Sequence, residues 1–251
     1  MSTRRSRRST DTTSKAPRTA TKQLGYHPLV ATRAGTGEIL HARMRKGSAG
    51  SARGVGRFID ELIASIRRAG LDGQITLRAD SGLWSWKLVD ALNKRQRTVR
   101  LVVRRTRLCG RQAQLFPDWR HHAFITNTEH DTVTADAFHR NHAVVELAIR
   151  DLKEGAGLEH CPSGNNSANA AWLACAVLAH NLNRWTTHLG DTRPDRRTWN
   201  HATIRTRLIA LAATLVNRSG RPTLRLPLHW PWAKQFTTML NTLRALPAPS
   251  G

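Results

Sequence analysis

Two carboxylates and their neighbours are where this sequence could do chemistry. Glu146 lies in the stretch Phe138–Glu159, FHRNHAVVELAIRDLKEGAGLE. At about 100° per residue on a helix, His139, His142, Glu146, Arg150 and Lys153 fall within roughly 80° of one another and make one polar stripe. Phe138, Val145, Ile149 and Leu152 form an apolar stripe beside it, and Val144, Leu147 and Ala148 cover much of the rest. A single helix that apolar is packed on several sides, and Gly155 and Gly157 are placed to end it. Asp80 follows a short predicted strand, QITLRA. A carboxylate at the end of a strand and another on a helix can hold hard cations such as Mg²⁺, which prefers oxygen ligands. Asp80 taken alone equally suits a turn or a helix N-cap. His139, His142 and Glu146, at i, i+3 and i+7, also make a nitrogen and oxygen set for Zn²⁺ or Fe²⁺. That alternative would make the chain a His/Glu metal-dependent hydrolase.

The elements that position these residues can be read along the chain. Residues 1–23 are a basic tail with almost nothing to bury, so disorder is expected there. HPLVATR and EILHARM flank Ala34-Gly35-Thr36-Gly37, a β-hairpin pattern. Residues 55–69 place Phe58, Ile59, Leu62, Ile63 and Ile66 on one helical face, closed by Gly70. WSWKLVDALNKR reads as a helix, TVRLVVRRTRL and HHAFITN as strands. ANAAWLACAVLAHNLNRW is apolar nearly all round and is expected in the core. After GDTRPDRRTWN come a helix over ATIRTRLIALAATLV, a strand over TLRLPL and a helix near 232–244.

Composition narrows the partners. Lys and Arg number 40 against 17 Asp and Glu, a formal charge of +23, which points to a polyanion and most simply to nucleic acid. Arg104, Arg105 and Arg107 concentrate that charge on one predicted strand, and Trp84, Trp86 and Trp119 offer rings that stack on bases or fill a core. Cys109, Cys161 and Cys175 form no CxxC pair, so neither a zinc ribbon nor a disulfide framework is indicated. No apolar run reaches the roughly 20 residues that span a membrane, and the start lacks a secretory signal's apolar core, so the cytoplasm is expected.

The Glu146 stretch resembles the last acidic motif of the DDE transposases of bacterial insertion sequences. In their cut-and-paste branch the motif reads Tyr-x2-Arg-x3-Glu-x6-Lys, often followed by Gly-Ala-Gly. Glu146, Lys153 and Gly155-Ala156-Gly157 match, whereas His139 and His142 stand at the Tyr and Arg positions. VELAIRDLKEGAGLEH and VLAHNLNRW extend the resemblance over nearly all of Leu24 to Pro247. It implies an α/β, RNase H-like core with a mixed sheet covered by helices on both faces. It also implies Asp80 and Glu146 as the second and third catalytic acids, binding two Mg²⁺ or Mn²⁺ ions that act on DNA phosphodiesters. Lys153 would then contact a phosphate, with Arg150, His142, His139, Arg104, Arg105 and Arg107 as further contacts to double-stranded DNA. A homodimer on paired transposon ends is implied as well.

Two departures shape the expectation. The family's first Asp stands on a strand upstream of the hairpin, where this sequence offers Asp11-Thr12-Thr13 without flanking apolar residues. Near Lys94–Thr98 the helix runs almost directly into TVRLVVRR, where the family carries a longer β insertion. The reading is a truncated copy: a basic tail at 1–23, a core at 24–189 with a reduced insertion at about 98–127, and a mainly helical extension at 190–251. Its expected function is DNA transposition by cleavage and strand transfer, defective for want of the first catalytic strand. A non-catalytic DNA-binding remnant is the alternative.

Overall fold

A computed structural model describes residues 25–79, 83, 85, 90, 100–107, 119–140, 143–193, 199–227 and 229–248. In chain order the described elements begin with β1 (Leu29–Thr32), β2 (Ile39–Arg43), α1 (Val55–Arg68), β3 (Arg100–Arg107), β4 (Trp119–Thr126) and α2 (Thr132–Arg140). They continue with α3 (Ala143–Gly155), α4 (Asn166–Gly190), α5 (His201–Ile204), β5 (Thr214–Arg218), β6 (Arg221–Arg225) and α6 (Ala233–Arg244). The chain is thus a mixed α/β protein. Its described strands form three separate two-stranded antiparallel sheets, β1-β2, β3-β4 and β5-β6. The described residues divide into two units, one from 49–143 and the other from 25–48 together with 144–248.

In the first unit α1 buries Val55, Phe58 and Leu62, as its apolar periodicity predicts, and Gly70 turns the chain out of it at φ 77°. The strand expected over residues 74–79 does not form. These residues have no ladder partner, and Arg78 instead donates to the Phe138 carbonyl at 2.8 Å with its guanidinium over the Phe138 ring. Asp80 and most of the predicted helix after it lie outside the described residues. β3 and β4 pair from Arg100↔Thr126 to Arg107↔Trp119. One face of this ribbon buries Val102, and Arg104 on the same face reaches Asp136 of α2. Asp131 starts α2 by accepting the N–H groups of Val133 and Thr134 at 2.9 and 3.0 Å, satisfying donors that a helix leaves open at its start.

The second unit is built on α4. Ile39 of β2 packs with Leu152, Leu158, Leu173 and Ala176 in one core cluster. Asn181 of α4 accepts from the Ile39 N–H at 2.8 Å and donates to the Ile39 carbonyl at 2.9 Å, doing for β2 what a third strand would do. Gly35 and Gly37, at φ 89° and 77°, supply the turn between β1 and β2 that the sequence announced.

Three sequence expectations are corrected here. Phe138–Glu159 is not one helix: His139 closes α2, Glu146 opens α3, and the two belong to different units. Each helix is tied to its own unit, α2 through Asp136 and α3 through Leu152 in the core cluster. α4 is not buried all round. Its buried line is largely polar, with Asn169, His180, Asn181, Arg184 and Thr187, while Leu178, Leu182, Trp185 and Leu189 are exposed. The helix expected over 202–216 gives out after α5 and a π turn, Arg205–Ile209, and Thr214–Arg218 is a strand. It is turned by Ser219 and Gly220, both at positive φ, the two-residue loop whose twist suits a hairpin.

Candidate functional site

α3 carries Glu146 in its first turn, where the helix dipole favours a carboxylate. The side chain is exposed, and Arg150 one turn on is exposed too. Lys153, a further three residues along the same side, is half-buried. Burial holds its ammonium below the usual lysine range, with the nearby Glu159 carboxylate pulling the other way. The opposite side of α3 is anchored by Ala148 and Leu152, neither of which reaches solvent. An acid and two bases therefore stand on the outer side of a helix whose inner side is fixed. Asp80 and His142 lie outside the described residues.

Of the expected stripe, His139 belongs to α2. It belongs to the first unit, where its ring stacks on Phe124 at 4.1 Å and meets His122 at 5.8 Å. His139 stands in the last turn of α2 and Glu146 in the first turn of α3, with His142 outside the described residues. Of the three strand arginines, Arg104 is turned inward to Asp136 at 3.1 Å. Arg105 and Arg107 share the other face of the β3-β4 ribbon with exposed Leu101 and Val103, and Arg105 lies over the Trp119 ring at 4.3 Å. That face is cationic and aromatic at the end formed by Arg105, Arg107 and Trp119.

Beneath α3 lies a group that sequence reasoning missed. Asp151, His180 and His201, from α3, α4 and α5, are all buried. The Asp151 Oδ1 accepts the backbone N–H of His201 at 2.8 Å. Its Oδ2 lies 3.4 Å from Arg184 Nη2, 3.6 Å from His201 Nε2 and 3.8 Å from His180 Nδ1. His180 Nε2 donates to the Gly37 carbonyl at 3.0 Å, which leaves Nδ1 with its lone pair toward the cluster. His201 Nε2 and His180 Nδ1 are 3.1 Å apart, and Asn183 Nδ2 stands 2.9 Å from His201 Nδ1. Burial pushes both imidazoles below their ordinary value and so favours their neutral forms; Asp151 opposes this in each case and Arg184 reinforces it. Gly155 at the end of α3 admits this packing, because a Cβ there would stand 2.3 Å from His201 Cβ. In the sequence the signals were faint: His180, Asn181 and Asn183 within a largely apolar helix, far from Asp151 and His201.

The family model described as transposase DDE domain group 1 matches this chain over residues 12–107 and 96–248. The chain belongs to that family. The two matched stretches overlap at 96–107, on and just before β3. No curated protein and no solved structure matches the chain. Within the DDE family a divalent metal and DNA go with the fold. Glu146, an exposed residue of α3, is of the carboxylate type that such a metal takes as a ligand. Among the described residues no helix is long and apolar enough to cross a membrane.

Proposed function

We propose that this chain is the transposase of a bacterial insertion sequence of the cut-and-paste kind, acting on DNA in the cytoplasm. It binds transposon-end DNA as a homodimer on paired ends, and the phosphodiester cleavage and strand transfer of its family are defective in it. Asp80 and Glu146 are its metal-holding carboxylates, in an RNase H-like core. Mg²⁺ or Mn²⁺, when bound, would supply activation of the attacking oxygen and stabilisation of the leaving one. Lys153 and Arg150 hold the phosphate backbone beside Glu146. Arg105 and Arg107, with Trp119, are further contacts to DNA, and His139 and His142 complete the expected set.

The observation that carries this reading is the outer side of α3, where Glu146, Arg150 and Lys153 follow one another within a span matched by the transposase family. Filter binding to a long duplex without divalent metal tests it. Lys153→Ala and Arg150→Ala should each weaken binding and lower the slope of log affinity against log salt by about 0.9. Glu146→Gln should not weaken it, since it removes a negative charge. Equal slopes in all variants would remove α3 from the DNA surface.

A second reading is favoured by the overlap of the two family matches at 96–107, which supports a shortened β insertion between Asp80 and Glu146. It is a family member that binds transposon ends without turnover.

A further inference from the structure

We propose that Asp151, His180 and His201 form a site for a borderline transition-metal ion, Zn²⁺ in the first instance, inside the second unit and separate from the Asp80 and Glu146 chemistry. Two imidazoles and one carboxylate are a donor set that such ions prefer and that Mg²⁺ does not. Among the described residues this is the group of three whose ligand atoms all lie within 4.8 Å of one another.

Around Asp151 Oδ2 the spacing fits an ion better than hydrogen bonds, while the two imidazoles stand at hydrogen-bond distance when no ion is bound. The three edges of the ligand triangle, Asp151 Oδ2 to His180 Nδ1, Oδ2 to His201 Nε2 and nitrogen to nitrogen, are 3.8, 3.6 and 3.1 Å. The point equidistant from the three atoms lies about 2.0 Å from each, which is the Zn–N and Zn–O bond length. A buried carboxylate held by charged donors closes to roughly 2.7–2.9 Å. Among the described residues the nearest hydrogen-bond partner of Oδ2 is Arg184 at 3.4 Å, while Oδ1 is bonded at 2.8 Å. The ligands sit on three different helices and are each oriented from behind: His180 by the Gly37 carbonyl, His201 by Asn183, Asp151 by the His201 N–H. His180 Nδ1 already presents its lone pair. Half a turn of the Asn183 amide sets its carbonyl on His201 Nδ1–H and frees Nε2 for the ion. Arg184 opposes the ion's charge, and Glu38, whose field acts on Arg184, offsets part of that opposition. Closing the two longer edges by a few tenths of an ångström lifts the ion out of the ligand plane and makes a water its fourth, tetrahedral ligand.

The test uses the full chain, stripped with a chelator and titrated with Zn²⁺ against a chromogenic competitor, and with Co²⁺ for its visible absorption. One ion per chain is expected at this site, with the intense visible bands of four-coordinate Co²⁺. Asp151→Asn and His201→Gln should weaken Zn²⁺ by roughly 100-fold or more, and Glu146→Gln should leave it unchanged. Asn183→Asp, which puts a carboxylate behind His201, should tighten it about tenfold. That variant keeps every proposed ligand, so it stands even where a ligand variant loses its far-UV dichroism. Folded protein that binds no Zn²⁺, binding unaltered in folded Asp151→Asn and His201→Gln, or no tightening in Asn183→Asp would each overturn the proposal.

Discussion

Gly155→Ala should break the contact between α3 and α5, and the size of the effect follows from one distance. A Cβ at 155 would lie 2.3 Å from His201 Cβ and 2.8 Å from its Cγ. Carbon atoms rest at about 3.5–4.0 Å, so one of the two must move by more than 1 Å. Neither is the end of a flexible side chain. Both Cβ atoms are fixed to backbone, so a helix has to shift. Overpacking of this kind costs about 1–3 kcal/mol. Alanine gains at most about 1 kcal/mol in helix propensity, and less at the last residue of a helix. A net loss of about 2 kcal/mol corresponds to a fall in Tm of about 4–8 °C for a unit of this size. Urea and thermal melts followed by far-UV dichroism would measure it. Gly56→Ala is the control, because its Cβ would meet nothing within 4 Å and the residue lies inside α1. That change should stabilise by about 0.5–1 kcal/mol. A Gly155→Ala protein as stable as the parent would refute the seating of His201 on α3.

Other predictions rest on separate contacts. Asn181→Ala strands the buried N–H and carbonyl of Ile39 and should cost about 2–4 kcal/mol in urea melts; a loss under 0.5 kcal/mol would contradict the bridging role. Glu38 is pushed up by burial, but its own N–H and the Arg33 guanidinium, bonded at 3.1 Å and opposite in charge, hold it below the ordinary 4.5. Its folded pKa is the lower one, so its contribution is full above 4.5 and disappears as pH falls through the depressed value. Glu38→Gln should therefore flatten the acid side of the stability curve, and an unchanged slope would sink that assignment. Arg105→Ala and Arg107→Ala should each lower the salt slope of DNA binding by about 0.9, whereas Arg104→Ala, already tied to Asp136, should lower thermal stability and leave the slope alone. The reverse pattern would mean the ribbon meets DNA with its other face.

Local chemistry was legible and long-range attachment was not. The β1-β2 turn was written in Gly35 and Gly37, α1 in the spacing of Phe58 and Leu62, and α6 near 232–244 in its own periodicity. The break between α2 and α3 was hidden because both halves are apolar; what separates them is that Asp136 binds Arg104 while Leu152 packs under Ile39. The β5-β6 hairpin was hidden by leucines and alanines upstream that mimic a helix, although Ser219-Gly220 marked its turn. α4 was misjudged because composition shows how apolar a helix is and not which side a neighbour will use. Its inner side went to Asn181, which a strand edge required, and to His180 and Arg184 around Asp151. Those three partners come from separate stretches, so no short motif could announce them. Glu146 and Lys153 were legible as a spacing, and Asp80 as a residue after an apolar run.

Nicking of supercoiled plasmid in Mn²⁺ tests the catalytic assignment most directly, comparing the chain with Asp80→Ala and Glu146→Ala. The account predicts at most weak, defective nicking by the parent, lost in both variants while both still bind DNA. Nicking that persists at the parent's rate in both would contradict it, and binding by all three with no nicking by any would leave the non-catalytic reading in its place.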